Sequence, residues 1–118
     1  MNINIRGKLF DLSKPKVMGI LNLTPDSFYD GGVHNEINNI ENHVNMMVED
    51  GVDILDIGGY SSKPGAKNIS VDEEMTRVIP ILKHIRKIFP ELVISIDTFR
   101  SKIASRSLDD GADIINDI

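Results

Sequence analysis

Val17-Met18-Gly19-Ile20-Leu21 runs into Asn22, and the same arrangement, an apolar run closed by Asn or Asp, recurs three more times in this sequence. Ile54-Leu55 leads into Asp56, Val93-Ile94-Ser95-Ile96 into Asp97, and Ile114-Ile115 into Asn116-Asp117. Stretches long enough for helices separate the four runs. The alternation reads β-α-β-α-β-α-β, which calls for parallel strands joined by right-handed crossovers. Parallel strands point one way, so their C-terminal ends share one face. The polar residues that close the runs converge there, on the face where α/β proteins bind ligands.

Outward from these runs the other elements follow. Ile3 and Ile5, then Leu9, Phe10 and Leu12, flank Arg6-Gly7-Lys8 and predict a β-hairpin that closes one end of a barrel. Lys14-Pro15 separates it from the strand at 16–22, and residues 23–35 form a loop rich in Thr, Pro, Asp and Gly. A helix is expected over 36–50, with Ile37, Ile40, Val44, Met47 and Val48 on one stripe and Gly51 as its stop. The strand at 53–58 opens into a loop at 59–69. Ser70 and Glu73 fit a capping box for a helix that ends by Pro90, with Val78, Ile81, Leu82, Ile85 and Phe89 as its apolar face. Pro80 inside that helix removes a hydrogen bond and predicts a kink. After the strand ending at Asp97, a third helix spans 100–110, with Ile103, Ala104 and Leu108 inward and Gly111 closing it.

This spacing is that of a parallel (β/α)8 TIM barrel, but such barrels take about 250 residues. The 118 residues end at the fourth strand. They read as one domain, about the first half of a barrel, with strands 16–22 and 112–118 as open edges. A half-barrel alone lacks half its core. The isolated chain is therefore expected to dimerise edge to edge, aggregate or stay molten.

Composition narrows the function. Net charge is -5, which speaks against a dedicated nucleic-acid binder. The absence of cysteine excludes a disulfide framework and a thiolate metal site. No apolar run approaches the ~18 residues of a membrane span, and the polar N-terminus does not read as a signal peptide. A cytoplasmic location is the default expectation. His34, His43 and His84 show no metal-ligand spacing; His43 and His84 fall on helices, where solvated or half-buried positions are expected.

Asn22 ends its strand with a side-chain carbonyl that can ligate a hard cation, or it simply forms a turn. Gly58-Gly59, Ser61, Ser62 and Lys63 combine close backbone approach, hydroxyl donors and a point charge, which suits a phosphorylated ligand. A plain surface loop has similar composition. Asp97 could cap the following helix. Asp56 and Asp117 read as hydrogen-bonding scaffold, because a buried Asp needs partners.

Four ordered segments go further: 18–32, around Asn22-Leu23-Thr24-Pro25-Asp26-Ser27-Phe28; 53–66, around Gly58-Gly59-Tyr60-Ser61-Ser62-Lys63-Pro64-Gly65; Ser95-Ile96-Asp97-Thr98; and Gly111-Ala112-Asp113-Ile114-Ile115-Asn116-Asp117. Together they resemble dihydropteroate synthase, the folate-pathway transferase that joins a pterin to p-aminobenzoate. The resemblance covers about residues 16–118 and implies roles residue by residue. Asn22 contacts Mg²⁺, the expected cofactor, and the leaving pyrophosphate. Ser62, Lys63, Asp97 and Asn116 bind pterin pyrophosphate, with Asp97 and Lys63 in the catalytic roles. Phe28 and Pro64 wall the p-aminobenzoate pocket. Asp accepts only, while Asn donates and accepts, so Asp97 and Asn116 together can read a pterin edge. The implied partners are these two small molecules, with a homodimer as the complete enzyme and sulfonamides as inhibitors.

The sequence departs from the family's usual Glu-Ser-Thr-Arg-Pro-Gly loop. Tyr60 stands for Glu, Ser62 for Thr and Lys63 for Arg. Ser keeps the hydroxyl, and Lys keeps the charge but loses the bidentate fork. The family's later strands carry another Asp, a Lys, an Arg and a His that lie beyond these 118 residues, so this chain alone is expected to be inactive. Two rivals are a pterin-binding methyltransferase domain and a non-catalytic half-barrel that serves binding or assembly.

Overall fold

The structure is a computed structural model that describes residues 2–5, 8–11, 16–23, 36–59 and 69–116. Strands β1 (Asn2–Ile5) and β2 (Lys8–Asp11) pair antiparallel with Ile5 opposite Lys8, which is the hairpin expected around Arg6-Gly7. Strands β3 (Met18–Asn22), β4 (Ile54–Gly58), β5 (Val93–Asp97) and β6 (Ile114–Asn116) form a parallel sheet in the order β3-β4-β5-β6. Helices α1 (Glu36–Glu49), α2 (Val71–Ile88) and α3 (Ser101–Asp109) alternate with them along the chain. β3 and β6 are the two edges of the sheet, as the sequence implies. β6 is shorter than expected: Ala112 and Asp113 precede it, and 117–118 lie outside the described residues.

The register sorts the strand residues into two faces, with side chains alternating along each strand. Leu21, Ile57, Ile96 and Ile115 share one row; Gly19, Leu55 and Ile94 belong to the same face. This face packs on the helices. Leu21, Leu55, Ile57, Ile94 and Ile96 are buried in one cluster with Ile40 and Val44 of α1, Val78, Leu82 and Ile85 of α2, and Ile103 of α3. Gly19 allows α1 to come close. A Cβ there would lie 2.7 Å from the Met47 sulfur and 2.9 Å from Val52 Cγ2, so any side chain would force the Met47 and Val52 side chains to move.

Most helix signals hold. Ser70 caps α2, its Oγ accepting the Glu73 N–H at 3.1 Å. The Glu73 carboxylate turns to Arg77 Nη2 at 2.7 Å, so the pair is a cap rather than the reciprocal box. α2 runs through Pro80 as one helix, with Pro80 on its exposed side. Leu108 corrects the sequence reading: it is 50% exposed, and the buried residue of that turn is Ser107. Ile103 and Ser107 stand four apart on one helix face, whereas Leu108 is rotated about 100° away from Ser107. The Ser107 carbonyl accepts the Ala112 N–H at 2.9 Å, which folds that face onto the turn into β6.

Gly51 and Gly111 adopt φ of 92° and 120°, in the region that favours glycine at helix C-termini. An aspartate follows each by two residues and does the same job. Asp53 Oδ2 accepts the Val17 N–H at 2.8 Å, and Asp113 Oδ2 accepts the Ile94 N–H at 3.0 Å. Each tethers the start of its own strand to its neighbour. At the second turn Arg86 closes the arrangement. Its guanidinium donates to Gly111 O at 3.0 and 2.8 Å, to Leu92 O at 2.7 Å, to Pro90 O at 3.0 Å and to Phe89 O at 3.2 Å. It also pairs with the buried carboxylate of Asp113 at 2.8 Å. These bonds join the end of α2 to the starts of β5 and β6, at the sheet end away from the strand C-termini.

Candidate active site at the strand ends

The sheet face opposite the helices carries three rows. Nearest the strand starts are Met18, Ile54 and Val93; next come Ile20, Asp56, Ser95 and Ile114; last, at the C-terminal ends, are Asn22, Gly58, Asp97 and Asn116. The structure thus brings Asn22, Asp97 and Asn116 into one register row. Gly58 leaves a gap in it, and the Asp97 side chain leans toward that gap: Oδ2 lies 3.6 Å from where a Gly58 Cβ would be. Asp97 and Asn116 are half-buried, and Asn22 is exposed.

The helix-cap reading of Asp97 is not what the structure shows. The N-cap of α3 is Arg100, with no side-chain cap bond. Thr98 does the local bonding: its Oγ1 accepts the Arg100 N–H at 3.2 Å, and its own N–H donates to Asn116 O at 3.2 Å. These bonds hold the ends of β5 and β6 side by side, with Asp97 on the sheet face opposite the helices.

Beneath this row Asp56 and Ser95 are register partners, 2% and 1% exposed. Asp56 Oδ1 and Ser95 Oγ have no hydrogen-bond partner among the described residues, so the scaffold expected around Asp56 is not formed there. The polar strip running from Asp56 and Ser95 up to Asp97 and Asn116 contrasts with the Ile- and Leu-rich opposite face. It gives this face of the sheet hydrogen-bonding groups toward the strand C-termini.

Among the described residues no group of three His, Cys, Asp or Glu is placed to hold a metal ion. The donor set at the strand ends suits a loosely held hard cation instead, because Mg²⁺ commonly keeps waters and takes one or two protein oxygens plus substrate phosphates. Asn22 offers an exposed carboxamide oxygen of that kind. The two helical histidines behave as expected: His43 is exposed, and half-buried His84 Nε2 lies 3.0 Å from Glu41 Oε1. Phe28, His34, Tyr60, Ser62, Lys63, Pro64 and Asp117 lie outside the described residues.

Sequence reasoning missed the residues around the described ends of the 59–69 loop. Arg77 Nη1 donates to Gly59 O at 2.9 Å, and Arg100 Nη2 donates to Ile69 O at 2.5 Å. Glu74, in the first turn of α2, is fully buried and meets Arg100 Nη1 at 3.1 Å. It also missed Arg86, Asp53 and Asp113. For the last two a signal was present: Gly51-Val52-Asp53-Ile54-Leu55 and Gly111-Ala112-Asp113-Ile114-Ile115 are near-repeats.

The pterin binding enzyme family model matches residues 18–118, nearly the whole chain. The chain belongs to the pterin binding enzyme family. Among its relatives is the dihydropteroate synthase of Escherichia coli K12, 48% identical over 118 residues that span 100% of this chain and 42% of that protein. The mitochondrial folate synthesis bifunctional protein of Arabidopsis thaliana is 48% identical over 117 residues, 97% of this chain and 21% of its own length. Among solved structures, Xanthomonas albilineans dihydropteroate synthase with 4-aminobenzoic acid superposes with a TM-score of 0.90 at 40% identity, covering 99% of this chain and 43% of that one. Yersinia pestis dihydropteroate synthase in a sulfonamide drug complex gives 0.86 at 43% identity, covering 100% and 42%. This member of the pterin binding enzymes therefore spans less than half the length of these relatives. Its four parallel strands and three helices correspond to about the first half of their barrels.

Proposed function

We propose that these residues form the N-terminal part of a dihydropteroate synthase. The complete enzyme would condense 6-hydroxymethyl-7,8-dihydropterin pyrophosphate with p-aminobenzoate to give 7,8-dihydropteroate and pyrophosphate. The observation that carries this reading is the single row of Asn22, Asp97 and Asn116 at the strand C-termini, in a chain whose whole length aligns with 42% of a synthase.

In the reaction the C–O bond between the pterin methylene and pyrophosphate breaks, a C–N bond to the aniline nitrogen forms, and that nitrogen loses a proton. Asp97 and Asn116 would read the pterin edge, and the Asp97 carboxylate would stabilise positive charge that develops on the ring as the C–O bond lengthens. Ser62 and Lys63 would hold the pyrophosphate, and Phe28 and Pro64 would flank the p-aminobenzoate ring. Mg²⁺ on Asn22 would supply charge neutralisation for the departing pyrophosphate. An aniline is neutral and nucleophilic at pH 7, so little base catalysis is required. The complete enzyme is read as a cytoplasmic homodimer and a sulfonamide target.

The anion loop gives one expected result. A completed barrel, this chain followed by the remaining strands of the Escherichia coli relative, is the material for it. Lys63→Ala should weaken pterin pyrophosphate roughly fivefold, the ~1 kcal/mol an exposed ion contact carries, and spare hydroxymethyl pterin. Lys63→Arg should bind at least as well as the parent, because the guanidinium restores the bidentate fork. Titration calorimetry with both ligands checks it; equal losses for the two would mean that Lys63 only shapes the loop. The synthase reading itself is tested by assaying the completed barrel for dihydropteroate and pyrophosphate.

A further inference from the structure

One row below Asp97, two polar side chains are shut away from water. Asp56 and Ser95 are register partners on β4 and β5, 2% and 1% exposed, on the sheet face opposite the helices. Asp56 Oδ1 and Ser95 Oγ have no hydrogen-bond partner among the described residues, so they do not bond each other. Unmet buried polar atoms are costly, and a carboxylate oxygen most of all. The neighbouring side chains of the sheet supply no donor. Ile20 and Ile114 flank the pair in its own row, and Met18, Ile54 and Val93 make up the row beneath.

Above the pair stands Asp97. It follows Ser95 by two residues on β5, and Gly58 follows Asp56 by two on β4. A Cβ on Gly58 would meet Asp97 Cβ at 3.4 Å, Oδ2 at 3.6 Å and Cγ at 3.8 Å. The Asp97 side chain therefore fills the side-chain position that Gly58 leaves free, next above Asp56. Two carboxylates and a hydroxyl share this corner. Carboxylates only accept and a hydroxyl brings a single donor, so the corner holds more acceptors than donors.

Spacing sets the size of the donor that fits. Register partners lie about 4.8 Å apart, and same-face neighbours along a strand about 6.6 Å. One water bridges polar atoms about 5.5 Å apart through two ordinary hydrogen bonds. A buried water needs two to four polar partners, which these side chains offer. The pair is already shielded within these 118 residues, which suits a small donor better than a long cationic side chain.

We propose that Asp56 and Ser95 are positioning residues of the pterin site: they hold one internal water and, through it, the orientation of the Asp97 carboxylate. Neither touches the reacting atoms. Polar groups behind a binding residue commonly fix its geometry in this way. The inference rests on the reading in which Asp97 binds the pterin. The specificity it implies is for the pterin ring, not for the diphosphate.

The test uses the completed barrel with Ser95→Ala, Asp56→Ala, Asp97→Ala and the double variant Ser95→Ala with Asp97→Ala. Ser95→Ala removes a single oxygen and is the variant least prone to a folding defect. Calorimetry should show hydroxymethyl pterin bound roughly fivefold more weakly in Ser95→Ala and roughly tenfold more weakly in Asp56→Ala, the range of one or two lost hydrogen bonds. Affinity for inorganic pyrophosphate should not change. In the Asp97→Ala background Ser95→Ala should cost nothing further, because the residue it acts through is gone. A crystal structure of the completed barrel should show one water within hydrogen-bond distance of Asp56 Oδ1 and Ser95 Oγ. Unchanged pterin affinity in Ser95→Ala, an equal loss in both backgrounds, or a cationic side chain in place of the water would overturn the proposal. If Asp56→Ala does not fold, Ser95→Ala and the double variant still decide it. Parent-like pterin affinity in Asp97→Ala would instead overturn the reading of Asp97 itself, and this proposal with it.

Discussion

Arg86→Ala should remove about 3–5 kcal/mol of stability, because it leaves the Asp113 carboxylate buried without its cation. The Asp113 side chain is only 2% exposed, so water reaches its carboxylate poorly. The substitution also strips donors from the carbonyls of Gly111, Phe89, Pro90 and Leu92. A domain stability of about 5–15 kcal/mol means that a loss of this size is a large fraction of the total. Arg86→Lys should recover little, since one ammonium cannot span acceptors on three sides. Urea denaturation of the completed barrel is the measurement. A loss under about 1 kcal/mol, the range of an exposed ion pair, would mean that the cluster is not a structural keystone.

The second large effect is on binding. Asp97→Asn in the completed barrel should weaken pterin pyrophosphate by about 1–3 kcal/mol, the cost of removing a charge-assisted hydrogen bond at a shielded site. The carboxylate faces the gap at Gly58 and is not used to cap α3, and the Asn amide is close to it in size, so the substitution removes the charge with little change of shape. The turnover number should fall as well, because Asp97 would favour positive charge in the transition state more than in the ground state. Calorimetry showing unchanged pterin affinity would remove Asp97 from the site.

The comparison between sequence and structure divides along a physical line. Strand order, helix positions and the convergence of Asn22, Asp97 and Asn116 were legible because period and polarity are local properties of the sequence. Three of the four strand ends were legible for the same reason: a polar residue closing an apolar run marks the C-terminal face, whereas Asp56 lies two residues short of the end of β4, one row below. Arg86, Arg100 and Glu74 were not legible. Their partners lie up to 31 residues away, as for Arg100 with Ile69, and a charged residue on a helix ordinarily reads as solvated surface. Leu108 failed in the other direction, since composition favours burying leucine while the phase set by Ile103 buries Ser107. Asp97 shows what geometry adds: capping and ligand binding were both open from sequence, and the Thr98 bonds together with the Arg100 N-cap set capping aside.

The two edge strands bear on how any measurement is made. β3 and β6 expose backbone at both ends of the sheet, and Val17, Met18 and Ile20 are exposed apolar residues on or beside β3, Ile20 at 52%. Surface of that kind is a template for further pairing. It is covered in a barrel that closes, which is why function is best read in the completed form.

The most direct test of the synthase reading is product analysis of that completed barrel, supplied with 6-hydroxymethyl-7,8-dihydropterin pyrophosphate, p-aminobenzoate and Mg²⁺. The expected result is 7,8-dihydropteroate and pyrophosphate in equal amounts, with both formed more slowly, and still in equal amounts, in Asp97→Asn. A folded barrel that binds the pterin but releases no pyrophosphate, or that transfers a methyl group instead, would contradict it.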